Sequence, residues 1–157
     1  EDDGVDTGLY LDPLLMDEKA EAVDVASDWK LMGEDGEIRG WSGGNFYTCG
    51  AIPECRQYWA DTYERVGRTF PVSGLYMDQV GYWNADTWVC WNPEHDHPMP
   101  VGMRVAQAPL VGEIREAVNR VDPAVVTYSE FVPTEITTQW QDGAFTHNHR
   151  FEWERPA

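Results

Sequence analysis

Three carboxylates in this chain stand directly after short apolar runs. Asp12 follows Gly8-Leu9-Tyr10-Leu11, Asp78 follows Gly74-Leu75-Tyr76-Met77, and Glu130 closes Ala124-Val125-Val126-Thr127-Tyr128-Ser129. None of these runs has a helical period, so each reads as a buried strand. A carboxylate at a strand tip is costly to desolvate, by several kcal/mol or so, unless partners are supplied. Such groups are either helix or turn caps, or they are held there for chemistry. Two of them on neighbouring strand tips, with tryptophans in the adjoining loops, suit cleavage of an acetal. One carboxylate attacks the anomeric carbon and the other protonates the leaving oxygen. The proton donor must be the less solvated of the two. Glu130 lies between Tyr128 and Phe131, which assigns it as the acid/base. Asp78 is followed by Gln79, an available hydrogen-bond donor, which assigns it as the nucleophile.

The surrounding residues supply candidates for substrate contact: Asp12, Tyr76, Gln79, Trp83, Trp91, His95, His97 and Glu135. Trp83 to Pro100 is a long loop rich in aromatic residues, and long loops in compact domains tend to be functional. Within it, His95-Asp96-His97 admits a metal reading, since histidines at i and i+2 can chelate from an extended loop. His147 and His149 are the distant residues that could join them. Hydrogen bonding to sugar hydroxyls or stapling of the loop is the preferred role, and no metal or cofactor is expected. Glu135 reads more readily as a residue that opens a short helix.

These groups must be positioned by the elements around them. Two copies of G-L-Y-[LM]-D, at 8–12 and 74–78, suggest equivalent strands of one sheet. A weak helix is expected around Lys19–Ala26, a strand over Phe46–Cys49, and a helix from Ile52-Pro53-Glu54 to Arg68. The latter carries Cys55, Trp59, Tyr63 and Val66 as its buried stripe. Met103–Val121 is a second helix, with Val111, Ile114, Val118 and Val121 facing inward and Pro109 as a kink or a first turn. A short helix over Pro133–Gln141 and a strand over Gly143–Thr146 complete the pattern. Strands alternating with helices make a parallel sheet or barrel, and carboxylates at successive strand ends match the layout of a (β/α)8 active site. The expected class is α/β: one incomplete, TIM-barrel-like (β/α)8 domain over residues 1–157.

Composition narrows the partners. The 157 residues carry 28 Asp and Glu against 11 Lys and Arg, a formal net charge of -17. Such a chain repels nucleic-acid phosphates and acidic membranes, so neither is an expected partner. No stretch reaches the roughly 20 apolar residues of a membrane helix. Cys49, Cys55 and Cys90 form no CxxC pair, which argues against a disulfide scaffold or a zinc knuckle. Packing as small apolar residues is the favoured reading, with a Cys49–Cys90 bridge as the alternative. The chain begins on Glu-Asp-Asp and stops at Arg-Pro-Ala, which reads as a segment cut from a longer protein.

The stretches S-G-L-Y-M-D-Q-V-G, C-W-N-P-E-H-D-H-P and V-D-P-A-V-V-T-Y-S-E, with F-Y-T-C-G upstream, resemble a family of bacterial and archaeal glycoside-hydrolase-like barrels of the DUF type. That family is related to endo-α-N-acetylgalactosaminidases and α-galactosidases. The resemblance spans Trp41 to Glu135, and Asp96 stands where the family pattern has Gly. It implies a (β/α)8 barrel, a retaining mechanism through Asp78 and Glu130, a carbohydrate substrate, and further strands outside this chain. Sugar-polymer degradation implies a secreted or envelope-associated parent. Two other functions fit the residues. One is a non-catalytic carbohydrate-binding barrel, with Trp83, Trp88 and Trp91 stacking on sugar. The other is a metal-dependent hydrolase using His95, His97 and a carboxylate.

Overall fold

The computed structural model describes residues 6–81, 89–131 and 134–145. In chain order its elements are β1 (Gly8–Leu11), β2 (Leu15–Asp17), α1 (Val23–Ala26), β3 (Asn45–Tyr47), α2 (Pro53–Thr69), β4 (Gly74–Met77), β5 (Val89–Cys90), β6 (Val101–Gly102), α3 (Met103–Val121), β7 (Val126–Ser129) and β8 (Gly143–Ala144). Ser27–Trp29 and Thr137–Trp140 are 3₁₀ turns.

Four strands form one parallel sheet in the order β1-β4-β7-β8. Parallel neighbours need crossovers, and α2 and α3 supply them between β1 and β4 and between β4 and β7. Pro53 at the start of α2 lacks only an N–H that would be unpaired there anyway. Cys55, Trp59 and Tyr63 form the buried stripe of α2. Pro109 lies inside α3 rather than at its start, and the helix stops before Asp122-Pro123. Both helices pack with Leu75 and Met77 into a single core. Tyr63, fully buried, reaches from α2 into the sheet and donates to the Tyr76 carbonyl at 3.1 Å. Arg56–Glu113 (2.7 Å) and Arg120–Glu64 (2.8 Å) join the helices at their edges.

Several expectations are corrected in detail. The helix around Lys19–Ala26 is one turn, Val23–Ala26. The strand near Phe46 belongs to a separate antiparallel pair, β2 with β3. The element before Gln141 is a 3₁₀ turn with Thr134 bonding the Thr137 N–H. β5 lies inside the segment read as one loop and pairs antiparallel with β6 just beyond its end.

The register of the main sheet is the feature that matters for function. Gly8, Gly74 and Val126 pair across three strands, as do Leu9, Leu75 and Thr127, then Tyr10, Tyr76 and Tyr128, then Leu11, Met77 and Ser129. Alternate residues of a strand face opposite sides. Leu75, Met77, Thr127 and Ser129 are fully buried on the helix side. The tyrosines form a row on the other side, with ring centroids 5.1 Å apart for Tyr10–Tyr76 and 5.3 Å for Tyr76–Tyr128. Phe145 joins them at 5.6 Å from Tyr76. Among the described residues no helix covers this face, and Tyr10 and Phe145 are more than half exposed.

The two glycines in the repeats are required by this row. A Cβ at Gly8 would stand 2.6 Å from the Tyr128 hydroxyl oxygen, and one at Gly74 would stand 3.0 Å from its ring. Gly8→Ala is therefore expected to lower stability by about 1 kcal/mol or more, by displacing a ring packed against Tyr76 and Phe145. In a Tyr128→Phe background the same substitution meets only ordinary contacts, so its cost is expected to fall to a few tenths of a kcal/mol or so. Urea unfolding of the four chains of this cycle measures the coupling, and strictly additive costs contradict it.

Candidate active site

The next row after Leu11, Met77 and Ser129 is Asp12, Asp78 and Glu130. The ladder continues into it: Asp78 N–H donates to the Leu11 carbonyl at 2.8 Å and Glu130 N–H to the Met77 carbonyl at 3.2 Å. By the alternation of the strands this row faces the same side as the tyrosines. Three carboxylates from three adjacent strands thus line one cleft at the C-terminal end of the sheet. The cleft has a volume of about 270 Å³, and Tyr10, Leu15, Trp41, Gln79 and Phe131 complete its walls.

Gln79 organises the cleft. Its side-chain amide donates to Asp12 Oδ2 at 2.9 Å and accepts from the Tyr47 hydroxyl at 2.9 Å. Its backbone N–H donates to Glu130 Oε2 at 3.0 Å. To make all three bonds the residue adopts φ 58°, in the left-handed region that non-glycine residues seldom enter. Gln79 bonds to Asp12, Tyr47 and Glu130 rather than to Asp78, contrary to the expectation that it steadies that carboxylate. Tyr10 does so instead, its hydroxyl donating to Asp78 Oδ2. Asp12 Oδ1 accepts the Leu14 and Leu15 backbone N–H groups at 2.9 and 3.2 Å.

The electrostatics follow from crowding acids at a dry strand end. Burial pushes the Asp12 carboxyl up to about 7, and the negative charge of Asp78 adds to this. The Leu14 and Leu15 amides and Gln79 pull in the opposite direction without cancelling it. The Tyr10 ring is largely exposed, but desolvation at its hydroxyl end and its bond to Asp78 hold the phenol well above its ordinary value. Tyr76 is raised as well, first by burial and then by the charge of Glu130. Both tyrosines therefore remain hydrogen-bond donors at neutral pH.

The other residues singled out in the sequence lie elsewhere. Tyr76 is in the aromatic row beside the cleft. Trp91 is half-buried, with its backbone N–H on the Met32 carbonyl. His95 and His97 do not line the cleft but gather with Cys49 and Cys90, all three cysteines being free thiols. Glu135 is exposed just before the 3₁₀ turn. Trp83, Trp88, His147 and His149 fall outside the described residues. Tyr10, Trp41 and Tyr47 are site residues that sequence reasoning missed. The G-L-Y-[LM]-D repeat carried a usable signal for Tyr10, because it equates Tyr10 with Tyr76. A larger hollow of about 540 Å³ lies at the opposite end of the sheet, by Gly8 and Gly74. Its acids are occupied locally, Asp6 by Ser73 and Asp122 by the Ala124 amide. Ligands of parallel α/β sheets bind outside the C-terminal strand ends, which favours the carboxylate cleft.

Comparison with solved structures finds the same fold in glycoside hydrolases. The α-galactosidase TtGalA from Thermus thermophilus, determined with stachyose, superposes with a TM-score of 0.63 at 17% identity, over 90% of this chain and 28% of that one. The GH36 α-galactosidase AgaA from Geobacillus stearothermophilus gives 0.62 at 14% identity, over 91% and 20%. The α-L-fucosidase isoenzyme 2 from Paenibacillus thiaminolyticus gives 0.60 at 18%, over 81% and 20%. No protein-family model and no curated protein sequence matches. The likeness is one of fold, and the chain spans between a fifth and about three tenths of the length of these enzymes. The described part of the chain is thus an α/β unit with a four-stranded parallel sheet, built like a portion of these glycoside-hydrolase structures.

Two outcomes follow from the cleft. Between the ordinary Asp value of 3.8 and about 7, the folded chain holds a proton on Asp12 that the unfolded chain has released. Stability therefore falls as pH rises through this window and levels off above it. Asp12→Asn, whose amide Gln79 can meet by turning its own, is expected to remove a pH dependence on the order of 1–3 kcal/mol, read from urea midpoints between pH 4 and 8. An unchanged slope contradicts the assignment. At position 79 the left-handed backbone favours glycine. Gln79→Ala is expected to lower stability by about 1–3 kcal/mol, and Gln79→Gly to be more stable than Gln79→Ala by about 1 kcal/mol. The reverse order in thermal unfolding contradicts the backbone argument.

Proposed function

We propose that this chain is part of the catalytic (β/α)8 barrel of a glycoside hydrolase, with Asp78 as nucleophile and Glu130 as acid/base. One observation carries the reading: Asp78 and Glu130 follow adjacent, in-register strands and line the same aromatic-walled cleft. Neighbouring strands of a sheet lie about 4.8 Å apart. That spacing suits the separation of about 5–5.5 Å that retaining enzymes use better than the roughly 6.5–9.5 Å of inverting ones. In the first half-reaction Asp78 bonds to the anomeric carbon while Glu130 gives its proton to the departing oxygen. In the second, Glu130 takes a proton from water, which displaces the ester and frees Asp78. The backbone N–H of Gln79 orients Glu130, and Tyr10 orients Asp78. Trp41, two-thirds exposed at the cleft wall, offers an apolar ring face to a sugar.

The uncovered aromatic face supports the barrel reading as well. In an open doubly wound sheet helices cover both faces, whereas in a closed barrel one face turns inward and is filled by side chains of other strands. Tyr10, Tyr76, Tyr128 and Phe145 then belong to the barrel interior, with the carboxylate row at its mouth. The rest of the barrel is supplied by sequence flanking this chain. The fold comparisons fit a family related to α-galactosidases, with a carbohydrate as the substrate class.

The test is a screen of the longest reading frame containing this chain against aryl glycosides, followed by two variants. Asp78→Asn is expected to lower kcat by roughly 10³-fold or more on every substrate turned over. Glu130→Gln is expected to lose least on substrates with acidic phenol leaving groups, which need no proton, and to regain turnover with added azide. Wild-type rates in Asp78→Asn would end the assignment. Turnover that is absent from all aryl glycosides, with sugar binding retained, would favour a binding barrel.

A further inference from the structure

The second cluster of chemically capable side chains lies outside the cleft. Cys49, two residues beyond β3, meets Cys90 of β5 and His95 and His97 of the loop between β5 and β6. One ligand atom from each lies within 4.8 Å of all the others. Cys49 Sγ is 3.5 Å from His97 Nε2, Cys90 Sγ is 3.4 Å from His95 Nδ1, and the two ring nitrogens are 3.2 Å apart. We propose that these four residues bind one zinc ion in a closed tetrahedral site.

The distances carry the argument. Zinc holds thiolate at about 2.3 Å and imidazole at about 2.0–2.1 Å, so a tetrahedron around it has S–N edges of about 3.6 Å and an N–N edge of about 3.3 Å. The observed edges match both. Direct hydrogen bonding accounts for them less well, because thiols are weak donors and two imidazole nitrogens facing each other must share one proton. The rings do not stack either: their planes lie at 69° with the nitrogens turned inward.

The outer nitrogen of His97 is held as a metal site requires. His97 Nδ1 donates to the Pro98 carbonyl at 3.0 Å, which leaves Nε2 as the lone-pair nitrogen toward the centre. His95 Nε2 lies 3.0 Å from the Asn92 amide. With Nδ1 on a metal, Nε2 carries the proton, so binding requires the Asn92 amide to turn its oxygen to the ring, away from the Glu94 N–H that it accepts here at 3.0 Å. Two thiolates and two imidazoles select zinc over calcium or magnesium. Four protein ligands fill the sphere and leave no position for substrate, so the ion is structural rather than catalytic. Its binding releases the two thiol protons. The site would pin the 91–100 segment, which has almost no regular structure, to the end of β3. That strand also carries Tyr47, the partner of Gln79 in the cleft.

The pattern is Cys-x4-His-x-His with a fourth ligand 41 residues upstream, and it does not depend on the glycosidase reading. The experiment is elemental analysis of the purified chain, and then cobalt substitution. One zinc per chain is expected, together with the intense visible bands and near-ultraviolet thiolate band of tetrahedral cobalt. Cys90→Ser and His97→Ala should each bring bound zinc to below about a tenth of an equivalent, and chelator should lower the melting temperature of the wild type only. If Cys90→Ser does not fold, the cobalt spectrum of the wild-type chain still decides. Absence of zinc with a weak, octahedral cobalt spectrum would overturn the proposal. So would a Cys49–Cys90 disulfide in protein purified with zinc present throughout.

Discussion

Parallel register is the constraint on which this molecule depends. Once Gly8 pairs with Gly74 and Gly74 with Val126, every later residue of the three strands is fixed in its row. Asp12, Asp78 and Glu130 then have no choice but to stand side by side at one sheet end. A slip of one residue on any strand would send its acid to the opposite face. The repulsion created by this row is met by groups the fold delivers to the same place. The Leu14 and Leu15 amides and the Gln79 side chain hold Asp12, the Gln79 backbone holds Glu130, and Tyr10 holds Asp78. What is not compensated is visible in Asp12, whose carboxyl is raised to about 7 by burial and by Asp78.

Gln79 connects this row to the rest of the chain. Its strained backbone turns the segment after β4 across Glu130, while its side chain bridges to Tyr47 beyond the main sheet. The antiparallel pair β2–β3 is thereby coupled to the carboxylates, although it contributes no strand to their sheet. Two residues further on, Cys49 enters the cysteine–histidine cluster. The site thus has two layers of support. Strand pairing fixes the acids, and a small second unit fixes the residue that holds two of them.

Much of this was legible from residue order. Local periodicity marks α2 and α3, because their buried stripes recur at helical spacing. The repeated G-L-Y-[LM]-D identifies two strands that the sheet places side by side in register. The strand-end acids stand out because apolar runs seldom stop at a charge. What escaped reading depends on contacts between residues distant in sequence. Tyr47 meets Gln79 across 32 positions and Tyr10 meets Asp78 across 68. The pairing of β2 with β3 joins strands of three residues each, too short to show alternation. The tryptophans around His95 and His97 point to a sugar role in the sequence, while Cys49 and Cys90, which lie beside them in space, carry no CxxC spacing. The aromatic row is half visible in the sequence: Tyr76 stands out and the repeat equates Tyr10 with it, but Tyr128 acquires its place only from the register.

The most direct test of this account is a crystal structure of the protein with a glycoside or iminosugar bound, in which the gap between the Asp78 and Glu130 carboxyl groups is measured. The sugar is expected in the cleft beside Trp41 and Tyr10, its anomeric centre between the two acids, with a gap of about 5–5.5 Å. Carboxyls on opposite faces of the sheet, a gap well beyond about 9.5 Å, or a sugar bound away from the strand ends would contradict it.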